Sequence, residues 1–96
     1  MIYVQASIKL RPGKLQDFTN LISELLPVVG KHGWKLVGSF ATVVGRLNTV
    51  VDLWELPNEA AIAAAMGDAE LQKRGVKISE IIEDEVFTVL TKLPIG

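Results

Sequence analysis

The fold is decided by the stretch from Trp34 to Leu56, which reads WKLVGSFATVVGRLNTVVDLWEL. β-Branched and aromatic residues are frequent in both halves of this stretch, which is typical of strands. The pattern predicts one strand over residues 34–44 and another over residues 48–56. The link between them is short and contains Gly45, a combination that favours a β-hairpin.

The segment before this hairpin predicts a strand followed by a helix. Residues 2–10 alternate between apolar and polar side chains, the pattern of a half-buried strand. A turn containing Pro12 and Gly13 follows. From Leu15 to about Val29 the apolar residues recur at the spacing of one helix face.

The segment after the hairpin predicts helices and a last strand. Residues 59–66 contain five alanines, the residue with the highest helix propensity, and we expect Ala63 or Ala64 to face the sheet. Asp68 can cap a further helical stretch. Residues 86–93 are rich in Val, Phe and Thr and predict the final strand.

The resulting order is strand, helix, strand, strand, helix, strand, which is the ferredoxin-like arrangement. We therefore predict an α+β fold, a four-stranded antiparallel sheet with the helices on one face. With 96 residues the chain is long enough for one domain, spanning residues 1–96, and too short for two.

Composition excludes several classes of function. The chain has no cysteine, which rules out disulfides, thiolate metal sites and thiol chemistry. Ten basic and eleven acidic side chains give a net charge of −1, which argues against nucleic acid as a partner. No membrane span or signal peptide is recognisable, so we expect a cytoplasmic protein that does not bind membranes.

The two middle strands carry apolar residues on both faces. A hairpin centred on Arg46 would place Phe40 opposite Asp52 and Gly38 opposite Trp54 on one face. The other face would then carry five small or apolar residues: Val37, Ala41, Val43, Val51 and Leu53. Helices on one side of a sheet cannot cover both faces, so we expect a homodimer that packs sheet against sheet.

Asn48, Asp52 and Trp54 stand at even spacing on one predicted strand and should point the same way. An amide, a carboxylate and an indole around one space could orient a small molecule, and Gly38 would leave room beside the indole. The alternative is structural: Trp54 belongs to the core, Asn48 ends a turn, and a protein partner satisfies Asp52.

Two other polar features favour structural roles. His32 is the only histidine and lies near the predicted end of a helix, where the helix dipole favours an imidazolium. One histidine without cysteine does not predict a metal site. The acidic run formed by Glu80, Glu83, Asp84 and Glu85 is typical of a solvated surface.

Three stretches resemble the NIPSNAP family: KLRPGK at 9–14, GWKLVGSF at 33–40 and VGRLNTVVDLW at 44–54. The resemblance spans nearly the whole chain and implies membership of the dimeric α/β-barrel group of ferredoxin-like domains. Asn48 and Trp54 match the family, whereas Asp52 stands where histidine is frequent. Ala6 and Ile8 stand where relatives commonly carry arginine and tyrosine, which implies a more apolar pocket.

Dimeric barrels of this group include cofactor-free monooxygenases, dehydratases, haem enzymes and ligand sensors, so the fold does not select one function. We expect a protein that binds a small apolar or aromatic molecule without a cofactor. Asn48 and Asp52 would orient it, and Phe40 and Trp54 would form the walls. The alternatives are a cofactor-independent monooxygenase or isomerase with Asp52 as the catalytic base, and a structural or assembly module.

Overall fold

A computed structural model describes all 96 residues, which form four strands and four helices. The strands are β1 (Ile2–Leu10), β2 (Lys35–Ala41), β3 (Thr49–Leu56) and β4 (Ile82–Leu90). The helices are α1 (Leu15–Gly30), α2 (Ala60–Met66), α3 (Ala69–Gln72) and α4 (Gly75–Ile81). None of these helices combines the length and the hydropathy needed to cross a membrane.

The strands form one antiparallel sheet in the order β2-β3-β1-β4, which confirms the predicted ferredoxin-like fold. Strand β1 lies at its centre and alternates as its sequence predicts. Val4, Ala6, Ile8 and Leu10 are buried under the helices. We call this the inner face of the sheet. Gln5, Ser7 and Lys9 lie on the opposite, outer face.

The predicted register of the β2–β3 hairpin is wrong by one residue. Asp52 pairs with Ser39 instead of Phe40. At Trp54 the difference is two residues, since Leu36 takes the place predicted for Gly38. The physical reason is the connection, which runs from residue 42 to residue 48 and is longer than a tight turn. A shift of one residue reverses the face on which the side chains of residues 38–41 lie.

The register changes again within β2, where Val37 is an extra residue between Leu36 and Gly38. Such a bulge restores the inward orientation of Leu36. Of the residues predicted for the outer face, Val51 and Leu53 lie there, while Ala41 pairs with the buried Val50. Val43 lies in the connection between the strands.

Strand β4 begins at Ile82, four residues before its predicted start. It pairs with β1 so that Phe87 lies opposite Ala6, and Glu85 lies opposite Ile8. Because Ala6 and Ile8 are on the inner face, Glu85 and Phe87 are on the inner face as well. The prediction that Glu85 belongs to a solvated acidic surface is therefore wrong for this residue.

The end of α1 is fixed by Gly33. The Gly33 N–H donates to the Gly30 carbonyl at 3.1 Å and the Trp34 N–H donates to the Val29 carbonyl at 3.3 Å, the pair of bonds of a Schellman motif. Gly33 adopts φ +87°, in the left-handed region that this motif requires. A Cβ atom at Gly33 would also lie 2.9 Å from Cδ of Pro57.

Helix α2 packs on the sheet through Ala61 and Ala65, which are buried, while Ala63 and Ala64 are exposed. The expectation that Ala63 or Ala64 faces inward is wrong, because the buried pair is spaced by four residues on the other side of the helix. Nε1 of Trp34 donates to the Ala61 carbonyl at 2.8 Å. This bond ties the start of α2 to the start of β2.

Candidate functional site

A cavity of 270 Å³ lies between the inner face of the sheet and the helices. Sixteen residues line it, of which fourteen are hydrophobic and the other two are Asp52 and Glu85. Ala6 and Ile8 of β1 form its floor, and α1, α3 and α4 contribute Leu, Ile and Phe side chains. Met66 and Phe87 line it as well and are 44% and 49% exposed, so they mark the side on which it opens.

Asp52 is the only buried charged residue of the chain, at 1% exposure. It lies on β3 directly opposite Ala6, with its carboxyl group at the cavity wall. Its one hydrogen bond comes from Oγ of Ser39 on the neighbouring strand, which donates to Oδ1 at 2.5 Å. Burial raises the pKa of Asp52, and the hydrogen bond from Ser39 offsets part of that rise.

Glu85 is the second polar residue of the cavity and is partly buried. Burial raises the pKa of Glu85 to about 7, and the nearby charges of Asp52 and Asp84 raise it in the same direction. The sequence carries a signal that could have identified it. Extending the strand pattern backwards from Phe87 by two residues places Glu85 on the inner face.

Trp54 lies beside Asp52 on the inner face, as predicted. It has both roles considered for it, as a core residue and as part of the cavity wall. It is 5% exposed and packs edge-to-face against Trp34, with ring centroids 5.6 Å apart and planes at 71°. It also lines the cavity. Gly38 does not make room for its indole, because the strand residue opposite Trp54 is Leu36.

Phe40 does not join this site. It pairs with Val51 on the outer face and is 59% exposed. Its ring folds back over Gly38, where an added Cβ would lie 2.6 Å from Cζ of Phe40. The prediction that Phe40 shares a face with Asp52 is therefore wrong.

Asn48 does not join the site either. It is exposed at the end of the β2–β3 connection and has φ +55°, a left-handed conformation that asparagine tolerates better than most residues. Its carbonyl accepts a hydrogen bond from the Leu10 N–H at 2.7 Å. Asn48 thus ends the turn and joins it to β1, which is the structural alternative raised for it, and its predicted position beside Asp52 and Trp54 is wrong.

His32 serves a structural role near the helix end, but its partner is a side chain. Its Nε2 lies 2.7 Å from Oδ2 of Asp68, and Nζ of Lys31 lies 3.1 Å from the same oxygen. Oδ1 of Asp68 accepts the Glu70 N–H at 2.8 Å and so caps α3. These bonds hold the pKa of Asp68 below its usual range, the bond from His32 contributing most. They also fix the position of α3, which supplies Leu71 to the cavity.

The remaining polar groups do not form a metal centre. Nowhere do three or more His, Asp or Glu side chains come together as metal ligands would. The chemical capacity of the site therefore lies in two carboxyl groups at the edge of an apolar space. Such groups can orient a polar end of a ligand or exchange a proton with it.

Comparison with known sequences identifies the family. The model of the NIPSNAP family matches residues 3–95. The chain belongs to the NIPSNAP family. No curated protein sequence matches this NIPSNAP chain significantly.

Solved structures share the fold of this NIPSNAP chain at low identity. A NIPSNAP family protein of unknown function from Agrobacterium tumefaciens has a TM-score of 0.83 at 20% identity, over 100% of this chain and 91% of that one. An uncharacterised NIPSNAP domain protein from Burkholderia xenovorans has the same score and identity, over 100% and 98% of the two chains. An antibiotic biosynthesis monooxygenase has a TM-score of 0.75 at 16% identity, over 98% and 100%. At these identities the likeness concerns the fold alone.

Proposed function

We propose that this protein binds a small, mostly apolar molecule in the cavity between its sheet and its helices. The observation that carries the proposal is the placement of Asp52 and Glu85 in an otherwise hydrophobic lining. Burying a carboxyl group with few partners destabilises a fold, so such groups usually persist where a ligand uses them. Asp52 would orient the ligand and Trp54 would form part of the wall.

A thermal-shift screen tests this proposal with a variant that fills the cavity. Aromatic and aliphatic metabolites are added to the wild type and to Ala6→Leu, because Ala6 lies on the cavity floor. Ala63→Leu, on the exposed side of α2, is the matched control. We expect ligands that raise the Tm of the wild type and of Ala63→Leu but leave that of Ala6→Leu unchanged.

Two results would contradict ligand binding in this cavity. One is a screen in which no compound raises the Tm of the wild type. The other is an equal shift in Ala6→Leu, which would place the bound compound elsewhere. The first result would favour the structural or assembly module.

A second candidate is a cofactor-independent monooxygenase or isomerase that uses the same cavity. The raised pKa of Asp52 favours it, because a buried carboxylate is a stronger base towards a bound carbon acid than a solvated one. The fold shared with an antibiotic biosynthesis monooxygenase is compatible with this chemistry. Asp52 would be the catalytic base.

The enzyme hypothesis makes a prediction that simple binding does not. Compounds found in the thermal-shift screen are incubated with the wild type and with Asp52→Asn, and product formation and oxygen consumption are followed. We expect turnover by the wild type and none by Asp52→Asn at compound concentrations that saturate both proteins. Binding without turnover in the wild type would reject the enzyme hypothesis and leave ligand binding intact.

We further propose that two copies form a homodimer through their outer faces. Apolar side chains lie on this face on the three strands other than β1: Phe40, Val51, Leu53, Val86 and Leu90. Phe40 and Val86 are more than half exposed in the single chain, at 59% and 55%. The apolar side chains of β2 and β3 form one patch and those of β4 form a second, with Gln5, Ser7 and Lys9 of β1 between them. Exposed apolar patches commonly mark a protein interface.

Light scattering coupled to gel filtration tests the dimer. The wild type should have twice the 10.5 kDa mass of the chain. Val51→Lys should dissociate it, because an unpaired charge buried between two sheets costs several kcal/mol, on the order of 3–5. Val76→Lys, on the exposed surface of α4, should leave the mass unchanged. A wild type that elutes at the mass of one chain would refute the dimer.

A further inference from the structure

The charge of the cavity restricts which ligands it can accept. Asp52 and Glu85 are its only polar residues, and no lysine, arginine or histidine lines it. Arg74, on the loop that precedes α4, is held instead by Glu24 and Glu70. A carboxylate ligand would therefore meet two acidic groups and no compensating positive charge in a space with low dielectric constant.

The two carboxyl groups flank the central strand from opposite sides. Asp52 lies opposite Ala6 on β3, and Glu85 lies opposite Ile8 on β4. Two strand spacings and an offset of two residues separate their Cα atoms by about 12 Å. Ala6 and Ile8 lie on the floor between them, and the small side chain of Ala6 leaves space above β1 beside Asp52. A positively charged group of a ligand placed there lies between the two carboxyl groups and is attracted by both.

Four aromatic rings line the remainder of the cavity: Phe18, Trp34, Trp54 and Phe87. The face of an aromatic ring carries negative electrostatic potential and attracts cations, most strongly when water is excluded. Carboxyl groups and aromatic rings around one space therefore favour the same type of ligand head group, a positively charged nitrogen.

We propose that the ligand is a hydrophobic amine, bound as its ammonium ion between Asp52 and Glu85 with its apolar body among the aromatic rings. This inference rests on the proposed ligand-binding function and specifies the ligand class. Neutral molecules of the same shape would bind less tightly, and carboxylic acids would be excluded as anions.

The affinity for an amine should depend on pH through the protonation of Glu85. The pKa of Glu85 is raised to about 7 by burial and by Asp52 and Asp84. The elements packed above it, α1, α3 and α4, present only hydrophobic side chains to the cavity. A bound ammonium ion stabilises the ionised carboxylate, so binding releases a proton and tightens as the pH rises. A neutral ligand that accepts a hydrogen bond from protonated Glu85 would show the opposite dependence.

Isothermal titration with three naphthalene compounds of matched size tests the inference. The probes are 1-naphthylmethylamine, 1-naphthalenemethanol and 1-naphthoic acid, a cation, a neutral molecule and an anion at pH 7. We expect the amine to bind most tightly and the acid least. Because only the fraction of molecules with ionised Glu85 binds well, the affinity for the amine should rise about tenfold between pH 6 and pH 8.

Variants of the two carboxyl groups separate their contributions. Glu85→Gln should lose the pH dependence and bind the amine about tenfold more weakly at pH 8, with the alcohol little affected. Asp52→Asn should also weaken binding of the amine and keep a rise with pH, shifted to lower pH because the charge of Asp52 helps to raise the pKa of Glu85. Glu80→Gln, an exposed change on α4, should behave as the wild type.

Different results would reject the amine as the ligand class or reject ligand binding itself. Tightest binding of the acid, or an affinity for the amine that is flat or falls with pH, would overturn the amine assignment while ligand binding stands. Failure of all three probes to bind, together with a negative thermal-shift screen, would overturn both. Titration of the amine in two buffers that differ in ionisation enthalpy must also report a released proton, and no release would count against the inference.

Discussion

Glu85→Gln should stabilise the protein at neutral and alkaline pH. Ionised Glu85 is disfavoured in the fold, since its pKa rises from the ordinary value of 4.5 to about 7. At 1.36 kcal/mol for each pKa unit this difference corresponds to about 3 kcal/mol. Glu85 is only partly buried, so solvent screens part of the penalty and we take about 2 kcal/mol.

The sign of the pH dependence follows from proton binding. Between pH 4.5 and 7 the folded protein holds a proton on Glu85 that the unfolded chain has released, so the free energy of unfolding falls as the pH rises. Glutamine does not titrate and removes this loss. Glu85→Gln should therefore match the wild type at pH 4 and exceed its stability at pH 8.

Thermal unfolding followed by circular dichroism measures the effect. For a domain of this size about 2 kcal/mol corresponds to a rise in Tm of about 8–16 °C at pH 8. Glu80→Gln serves as the control, because Glu80 is exposed and outside the cavity. Equal melting of Glu85→Gln and wild type at pH 8, or the same difference at pH 4 and pH 8, would refute the burial of this carboxyl group.

Three further changes test the packing around the cavity. Ala65→Leu should lower the free energy of unfolding by about 1–3 kcal/mol in a denaturant titration, because Ala65 is fully buried, whereas Ala63→Leu should change little. Asp68→Asn should lose stability at pH 7 and approach the wild type as the pH falls below 4, since ionised Asp68 is stabilised in the fold; equal differences at both pH values would contradict this. Trp34→Phe should lower stability by about 1–3 kcal/mol in urea unfolding, because it removes the buried hydrogen bond from the indole to the Ala61 carbonyl and leaves a smaller ring in the core.

The strongest parts of the fold prediction came from periodicity in single elements. In β1 the alternation identified the buried face correctly, and in α1 the helical spacing identified the helix. These patterns are local, because each depends only on which side of one element meets the core. The order of the elements was then sufficient to predict the antiparallel sheet.

The site was harder to predict because it depends on how elements align with one another. Gly45 suggested a tight turn, whereas the actual connection continues to Asn48 and moves Phe40 to the outer face. In α2 the run of alanines has no periodicity, so nothing in it distinguishes Ala61 from Ala63. The sequence did not identify Glu85 as a cavity residue, because a run of acidic residues is typical of a solvated surface. Asp52 and Trp54 were found because both lie on β3, where one strand alone sets their direction.

The turn at the end of α1 restricts which residues relatives can carry at position 33. Gly33 is restricted twice, by its positive φ and by Pro57 at 2.9 Å from the position of a Cβ atom. Any other residue would have to adopt an unfavourable backbone conformation and also displace the proline ring. In a saturation mutagenesis experiment position 33 should tolerate as little as the centre of the core, although it lies outside the cavity. If relatives always carry glycine at this position, the cause is the backbone geometry of the turn. Different residues at positions 52 and 85 would instead indicate a different ligand.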